Sequence, residues 1–128
     1  MIVLDTHAWL WWSDGDARLP ASTRRRIDGA GRLGVPTACC FELASLDRRG
    51  RIRLDRGVRA WVRTALDIDG VEALPITADV AIEAGRLPEN FPGDPLDRLI
   101  YATAVSENAL LVTRDERITA HDPTRVIW

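Results

Sequence analysis

Three continuous apolar residues, Ile2–Leu4, open the chain and give way at once to a carboxylate, Asp5. Short apolar, partly β-branched runs recur at Leu33–Val35, Val71–Ile76, Leu110–Thr113 and Arg125–Ile127. Runs of this length and continuity predict short strands, the apolar ones buried on both faces. Between them, apolar positions at helical spacing predict helices over Thr6–Trp12, Ala21–Ala30, Thr37–Arg49, Val58–Ile68, Ala78–Leu87 and Pro95–Asn108. No repeat, low-complexity tract or linker interrupts the series. The alternation predicts one α/β domain over residues 1–128, with a mainly parallel central sheet and helices on both faces.

In such sheets, sites form just beyond the carboxyl ends of the strands. Asp5 follows the first strand and Asp115 follows the fourth, in "LLVTRD", so both fall at one end of the sheet if these strands are parallel neighbours. Two further carboxylates sit on helices. In "GDPLDRLIYATA", Asp94 is placed as an N-cap, Pro95 occupies the first helical position and Asp97 the third. A capping role is sufficient for Asp94. Asp97 shares a stripe with Ile100, Tyr101 and Ala104, which turns it inward at the top of a packed helix. Glu42, in "PTACCFELASLDRRG", has Ala38, Cys39, Ser45 and Leu46 as its helical neighbours. A Glu there either snorkels to an edge or meets other polar groups in a pocket.

Composition narrows the chemistry. Apolar residues make up 46% and charged residues 28% of the 128, as in an ordinary globular protein. No stretch approaches the ~20 apolar residues of a bilayer span, and no secretory-signal pattern opens the chain, so the cytoplasm is the expected compartment. Cys39 and Cys40 are adjacent and read as buried thiols, since they form neither a disulfide framework nor a zinc-site spacing. The formal net charge is −2, and all 17 basic residues are Arg. With no Lys in the chain, any chemistry that needs one is excluded.

Asp5, Glu42, Asp97 and Asp115 are thus four carboxylates on strand ends or inward helix faces, with no lysine to neutralise them. Clustered carboxylates do not all ionise near one another without a cation. Hard divalent ions with oxygen ligands resolve the conflict, Mg²⁺ first and Mn²⁺ as a possible substitute. Such an ion activates water and stabilises both the attacking and leaving oxygens of a phosphodiester.

In order and approximate spacing, "LDTHAWLWW", "FELA", "GRIRL", "DPLDRLIYATA" and "LLVTRD" resemble the motifs of PIN-domain nucleases, in particular the VapC-type toxins of bacterial toxin–antitoxin pairs. The similarity spans essentially the whole chain, and "DPLDRLIYATA" is its most specific element. The resemblance implies a PIN-like fold and a Mg²⁺-dependent endoribonuclease, with Asp5, Glu42, Asp97 and Asp115 as catalytic metal ligands. Thr113 matches a hydroxyl that supports the site, Asp94 also matches the pattern, and Thr6 is a polar neighbour able to hydrogen-bond a ligand carboxylate. The aromatic before the third-helix Glu is Trp in many members and Phe41 here, which reads as a packing change. The family further implies an RNA substrate, a homodimer and a VapB-like antitoxin.

Other features stay open at this level. His7 either carries protons or packs beside Asp5. Trp9, Trp11 and Trp12 either stack RNA bases or serve the core or an interface, and adjacent helical positions prevent all three from facing one groove. Arg48, Arg49, Arg51, Arg53, Arg56, Arg59 and Arg63 form either a solvated face or an RNA-phosphate surface, with Arg49, Arg51 and Arg53 as its centre and Arg24–Arg26 as a possible extension. Two rival functions fit a small α/β domain with strand-end Asp residues. A receiver-like or phosphatase-like phosphotransfer domain would need a phosphate-contacting lysine. A catalytically silent binding module would not need all four acids.

Overall fold

The computed structural model describes residues 1–128 and contains a five-stranded sheet. The strands are β1 (Ile2–Leu4), β2 (Leu33–Pro36), β3 (Val71–Leu74), β4 (Leu110–Val112) and β5 (Val126–Ile127). Their order is β3-β2-β1-β4-β5, and every pairing is parallel. Seven helices connect them: α1 (Thr6–Asp14), α2 (Ala21–Asp28), α3 (Thr37–Arg48), α4 (Val58–Leu66), α5 (Ala78–Arg86), α6 (Pro95–Ser106) and α7 (Glu116–His121). The chain steps outward from β1 through β2 to β3, then returns past β1 to β4 and β5. Right-handed crossovers therefore put the helices after β1 and β2 on one face and those after β3 and β4 on the other. The reversal lies between β1 and β4, the crevice where open parallel sheets bind ligands.

A main core joins sheet and helices, and Val80, Ala84 and Ala102 form a small second cluster between α5 and α6. Val3, Leu4, Leu33, Val35, Leu111 and Val112 from the sheet pack with Trp9, Leu43, Trp61 and Ile100 from the helices. Trp9 is fully buried and meets Trp61 edge-on, with ring centroids 5.1 Å apart. The two carboxyl ends that matter are tied together directly. Asp5 N–H donates to the Val112 carbonyl at 3.1 Å, and Thr113 N–H donates to the Ile127 carbonyl at 3.2 Å.

The elements differ from the sequence expectation mainly at their ends. β3 stops at Leu74 because Pro75 has no N–H to continue the ladder. α1 continues two residues past Trp12 and stops at Gly15, whose left-handed backbone (φ 66°) lets its N–H reach the Trp11 and Trp12 carbonyls. The helix α7 is an addition: nothing in the apolar pattern of residues 116–121 predicts it. Its C-terminal end is anchored by Asp122, whose Oδ2 accepts from the Tyr101 hydroxyl at 2.9 Å and from Arg125 Nε at 3.1 Å. The loop leading into α6 is held by Arg98, whose guanidinium donates to the carbonyls of Ala84, Leu87, Pro88 and Pro92. That clamp fixes where Asp94 and Asp97 enter the structure.

Candidate active site

A cavity of about 610 Å³ opens at the carboxyl end of the sheet. Its walls carry six carboxylates: Asp5, Glu42, Asp94, Asp97, Asp115 and Glu116. All four expected metal ligands are brought to this one cavity, with Asp94 and Thr113 beside them. Glu116 was not expected. It enters because Asp115 caps α7 and places the next residue in the helix's first turn.

Three of these acids are held by the backbone they cap. Asp5 Oδ1 accepts from Ala8 N–H at 2.8 Å at the start of α1. Asp94 Oδ1 accepts from Leu96 N–H at 2.7 Å and Asp97 N–H at 3.4 Å at the start of α6. Asp115 Oδ1 accepts from Arg117 N–H at 2.8 Å and Ile118 N–H at 3.1 Å at the start of α7. The Thr113 hydroxyl oxygen accepts from Asp115 N–H at 3.1 Å, which fixes the turn between β4 and α7. In each case Oδ1 is committed to the cap, which locks the carboxylate's direction. Helix N-termini also carry partial positive charge, which offsets part of the accumulated negative charge. That is the local answer to how Asp5 is tolerated at a strand end.

The compensation is incomplete. Burial pushes the Asp5 carboxyl above its ordinary value, against the opposing pull of the Thr113 hydroxyl and the Ala8 N–H. Asp97 is pushed up to about 7, first by burial and then by the charges of Asp94, Asp115, Glu42 and Asp5. A carboxyl raised to about 7 by burial and by four acidic neighbours marks a site that favours positive charge.

The donor set suits a hard divalent cation: six carboxylates dominate one open cavity, with the Thr113 hydroxyl and the His7 ring beside them and Arg114 and Arg117 on its wall. No three acidic, His or Cys side chains already stand in an ion-enclosing cage. Mg²⁺ does not require one, since it keeps several waters and binds through one or two carboxylates. The residues fit such an ion.

Several expectations are revised here. Thr6 is buried, does not line the cavity, and its hydroxyl makes no hydrogen bond to a site carboxylate. Phe41 is 68% exposed: the aromatic before Glu42 packs on nothing in the core, because that side of α3 faces outward. Trp9 and Trp11 are buried, which removes them as base-stacking platforms, while Trp12 is half-buried and donates to Asp28 at 2.8 Å. Cys39 is buried with its thiol 3.6 Å from the Leu4 carbonyl, and Cys40 is only half-buried. His7 lines the cavity and packs against Trp11, with ring centroids 5.4 Å apart. The arginine segment divides. Arg49 turns back to the Ser45 carbonyl of its own helix, whereas Arg51 and Arg53 line a depression next to the acidic cavity.

Comparison with known proteins bears on the family and the fold. Residues 2–122 match the family model described as "PIN domain". The chain is 40% identical to Ribonuclease VapC22 of Mycobacterium tuberculosis, over 99% of this chain and 98% of that protein. Among solved structures, a toxin–antitoxin complex from Klebsiella pneumoniae superposes with a TM-score of 0.71 at 18% identity, covering 100% of this chain and 97% of that one. VapC20 of Mycobacterium tuberculosis, described as a sarcin-ricin loop cleaving toxin, superposes at 0.68 with 19% identity and 95% coverage of each chain. No helix is long and apolar enough to cross a membrane.

Proposed function

The chain belongs to the PIN-domain family, and on that premise we propose that it is a VapC-type toxin, a metal-dependent endoribonuclease that hydrolyses RNA phosphodiester bonds. The observation that carries this reading is the convergence of Asp5, Glu42, Asp97 and Asp115 on one cavity at the β1/β4 crevice. Asp5, Glu42, Asp97 and Asp115 would hold Mg²⁺, or Mn²⁺ in its place. The ion supplies Lewis acidity toward the phosphodiester and the attacking water.

The chain's own contribution is positioning and charge. Asp5 and Asp115, each pinned through Oδ1, keep Oδ2 aimed in a fixed direction, so ligand-binding costs little reorganisation. Glu42 and Asp97 approach from α3 and α6, two helices that touch each other although they cover opposite faces of the sheet. Water is not excluded from a cavity this open, as suits a reaction that consumes it. The same reading includes a VapB-like antitoxin as partner, a second copy of the chain in a homodimer, and a cytoplasmic setting, all as family membership suggests.

The test is cleavage of RNA by purified protein with Mg²⁺ or Mn²⁺ against chelator. Asp5→Asn and Asp97→Asn keep the side-chain shape and remove the charge that retains a divalent ion. Both variants are expected to fold and to lose cleavage. Wild-type cleavage by either folded variant would remove that residue from the metal-binding set. A wild-type protein inert under every metal condition would favour the silent binding module.

A further inference from the structure

Beside the acidic cavity lies a second depression of about 320 Å³, and the two share His7 and Arg114 as a common wall. Its electrostatic character is opposite. Arg18, Arg51, Arg53 and Arg114 line it, against Asp14 and Asp16. Asp16 is already neutralised by Arg18, with Nη2 to Oδ2 at 2.7 Å, and Asp14 accepts from the Trp61 indole at 3.2 Å. The guanidinium groups of Arg51, Arg53 and Arg114 have no carboxylate within ion-pair distance and donate no hydrogen bond within the protein. They differ in this from Arg32, Arg56 and Arg125, each of which is paired with an acid.

The floor of the depression is preorganised. Trp11 is 2% exposed, and two guanidinium carbons lie close to its ring centroid, Arg18 at 4.9 Å and Arg114 at 4.8 Å. Two cations on one indole resist flopping into solvent, so their donors stay near the depression. A guanidinium offers a planar fork that matches phosphate oxygens. Because Trp11 is covered, it offers no free indole face for a base.

We propose that this depression is a phosphate subsite that holds the RNA backbone next to the phosphodiester presented to the carboxylates, through Arg51, Arg53 and Arg114, with Arg18 committed to Asp16 at its edge. The proposal rests on the ribonuclease reading and extends it. It resolves a conflict inherent in that reading: six carboxylates repel a polyanion, and a basic surface sharing their wall offsets the repulsion where the strand must enter. Contacts to backbone and not to bases make this part of recognition independent of sequence. The subsite ends at Arg53, since Arg56 beyond it is paired with Asp55 at 2.9 Å.

The experiment measures binding of a labelled single-stranded RNA oligonucleotide to the full chain in chelator, over a series of salt concentrations. Arg51→Gln/Arg53→Gln is expected to weaken binding about tenfold and to flatten the log–log salt slope by about 1.4, two contacts at about 0.7 each. Arg51→Lys/Arg53→Lys should restore the slope, which a merely structural role would not do. Arg48→Gln/Arg49→Gln, outside the depression, should leave both quantities as in wild type. A glutamine variant with wild-type affinity and slope, from a protein that cleaves RNA with Mg²⁺, would overturn the subsite and leave the ribonuclease reading standing. A wild-type protein that neither binds nor cleaves RNA would overturn both.

Discussion

Asp97 is held far from an ordinary carboxylate, and the consequence for stability has a definite sign. Its folded value of about 7 lies above the ordinary 3.8. The folded state therefore binds this proton more tightly than the unfolded chain does. The resulting stabilisation is complete below about pH 3.8 and is lost as pH rises through about 7. At pH 8 the ion-free protein should be less stable by about 1–2 kcal/mol than the protonated form, after discounting the shift for a half-exposed group. Asp97→Asn should remove this dependence. Thermal melts in chelator between pH 5 and pH 8 check it: wild type should lose several degrees over that interval, and the variant should lose fewer. The inward placement of Asp97 was legible in the sequence, because Ile100, Tyr101 and Ala104 on its stripe are all buried. The magnitude was not, since it depends on burial in the assembled fold and on four acids from four separate segments. The exposure of Phe41 was equally hidden, because a three-residue motif does not say which side of α3 meets the core.

At the scale of elements, the site is a set of helix beginnings. Asp5, Asp94 and Asp115 cap α1, α6 and α7, so the same carboxylates that give the cavity its charge also start the helices that surround it. Substitution separates the two roles. Asn caps a helix about as well as Asp, whereas Ala forfeits the cap at about 1 kcal/mol. Asp115→Asn should therefore melt close to wild type while losing RNA cleavage, and Asp115→Ala should lose both cleavage and about 3–5 °C of melting temperature. Equal melting of the two variants would separate Asp115 from the stability of α7. The cap of α6 was readable from "GDP", since Pro in the first helical position announces it. The six-residue α7 was not, because a single turn and a half gives no apolar periodicity to detect. The strands were legible as apolar runs. Their ends depended on Pro75 and on hydrogen bonds between β1, β4 and β5 that no local pattern reveals.

For the molecule as a whole, the parallel order β3-β2-β1-β4-β5 decides what meets what. The alternation of runs predicted this class of sheet, and the placement of β1 against β4 brings Asp5 to the same end of the sheet as Asp115. The gathering of Arg18, Arg51, Arg53 and Arg114 around Trp11 follows from the same topology and has no signature in sequence spacing. The fold thus sets a repelling acidic cavity and an attracting basic depression side by side across one wall, His7 and Arg114. A cation bound by the cavity would bind the folded chain and not the unfolded one, and so must raise stability by mass action. At a hundredfold excess over its dissociation constant the gain is about 2.7 kcal/mol, or about 8–13 °C for a chain of this size. Wild type should show that rise on addition of Mg²⁺ or Mn²⁺, at a pH above 7 where Asp97 is ionised. Asp5→Asn should show less of it, while melting higher than wild type in chelator because one repelling charge is gone. The Arg51→Gln/Arg53→Gln protein should show the full rise, since neither side chain lines the acidic cavity. Scanning calorimetry across a metal titration measures all three. A wild-type melting temperature indifferent to saturating metal would refute the carboxylates as a cation site, and equal responses from all three proteins would move the ion elsewhere on the chain.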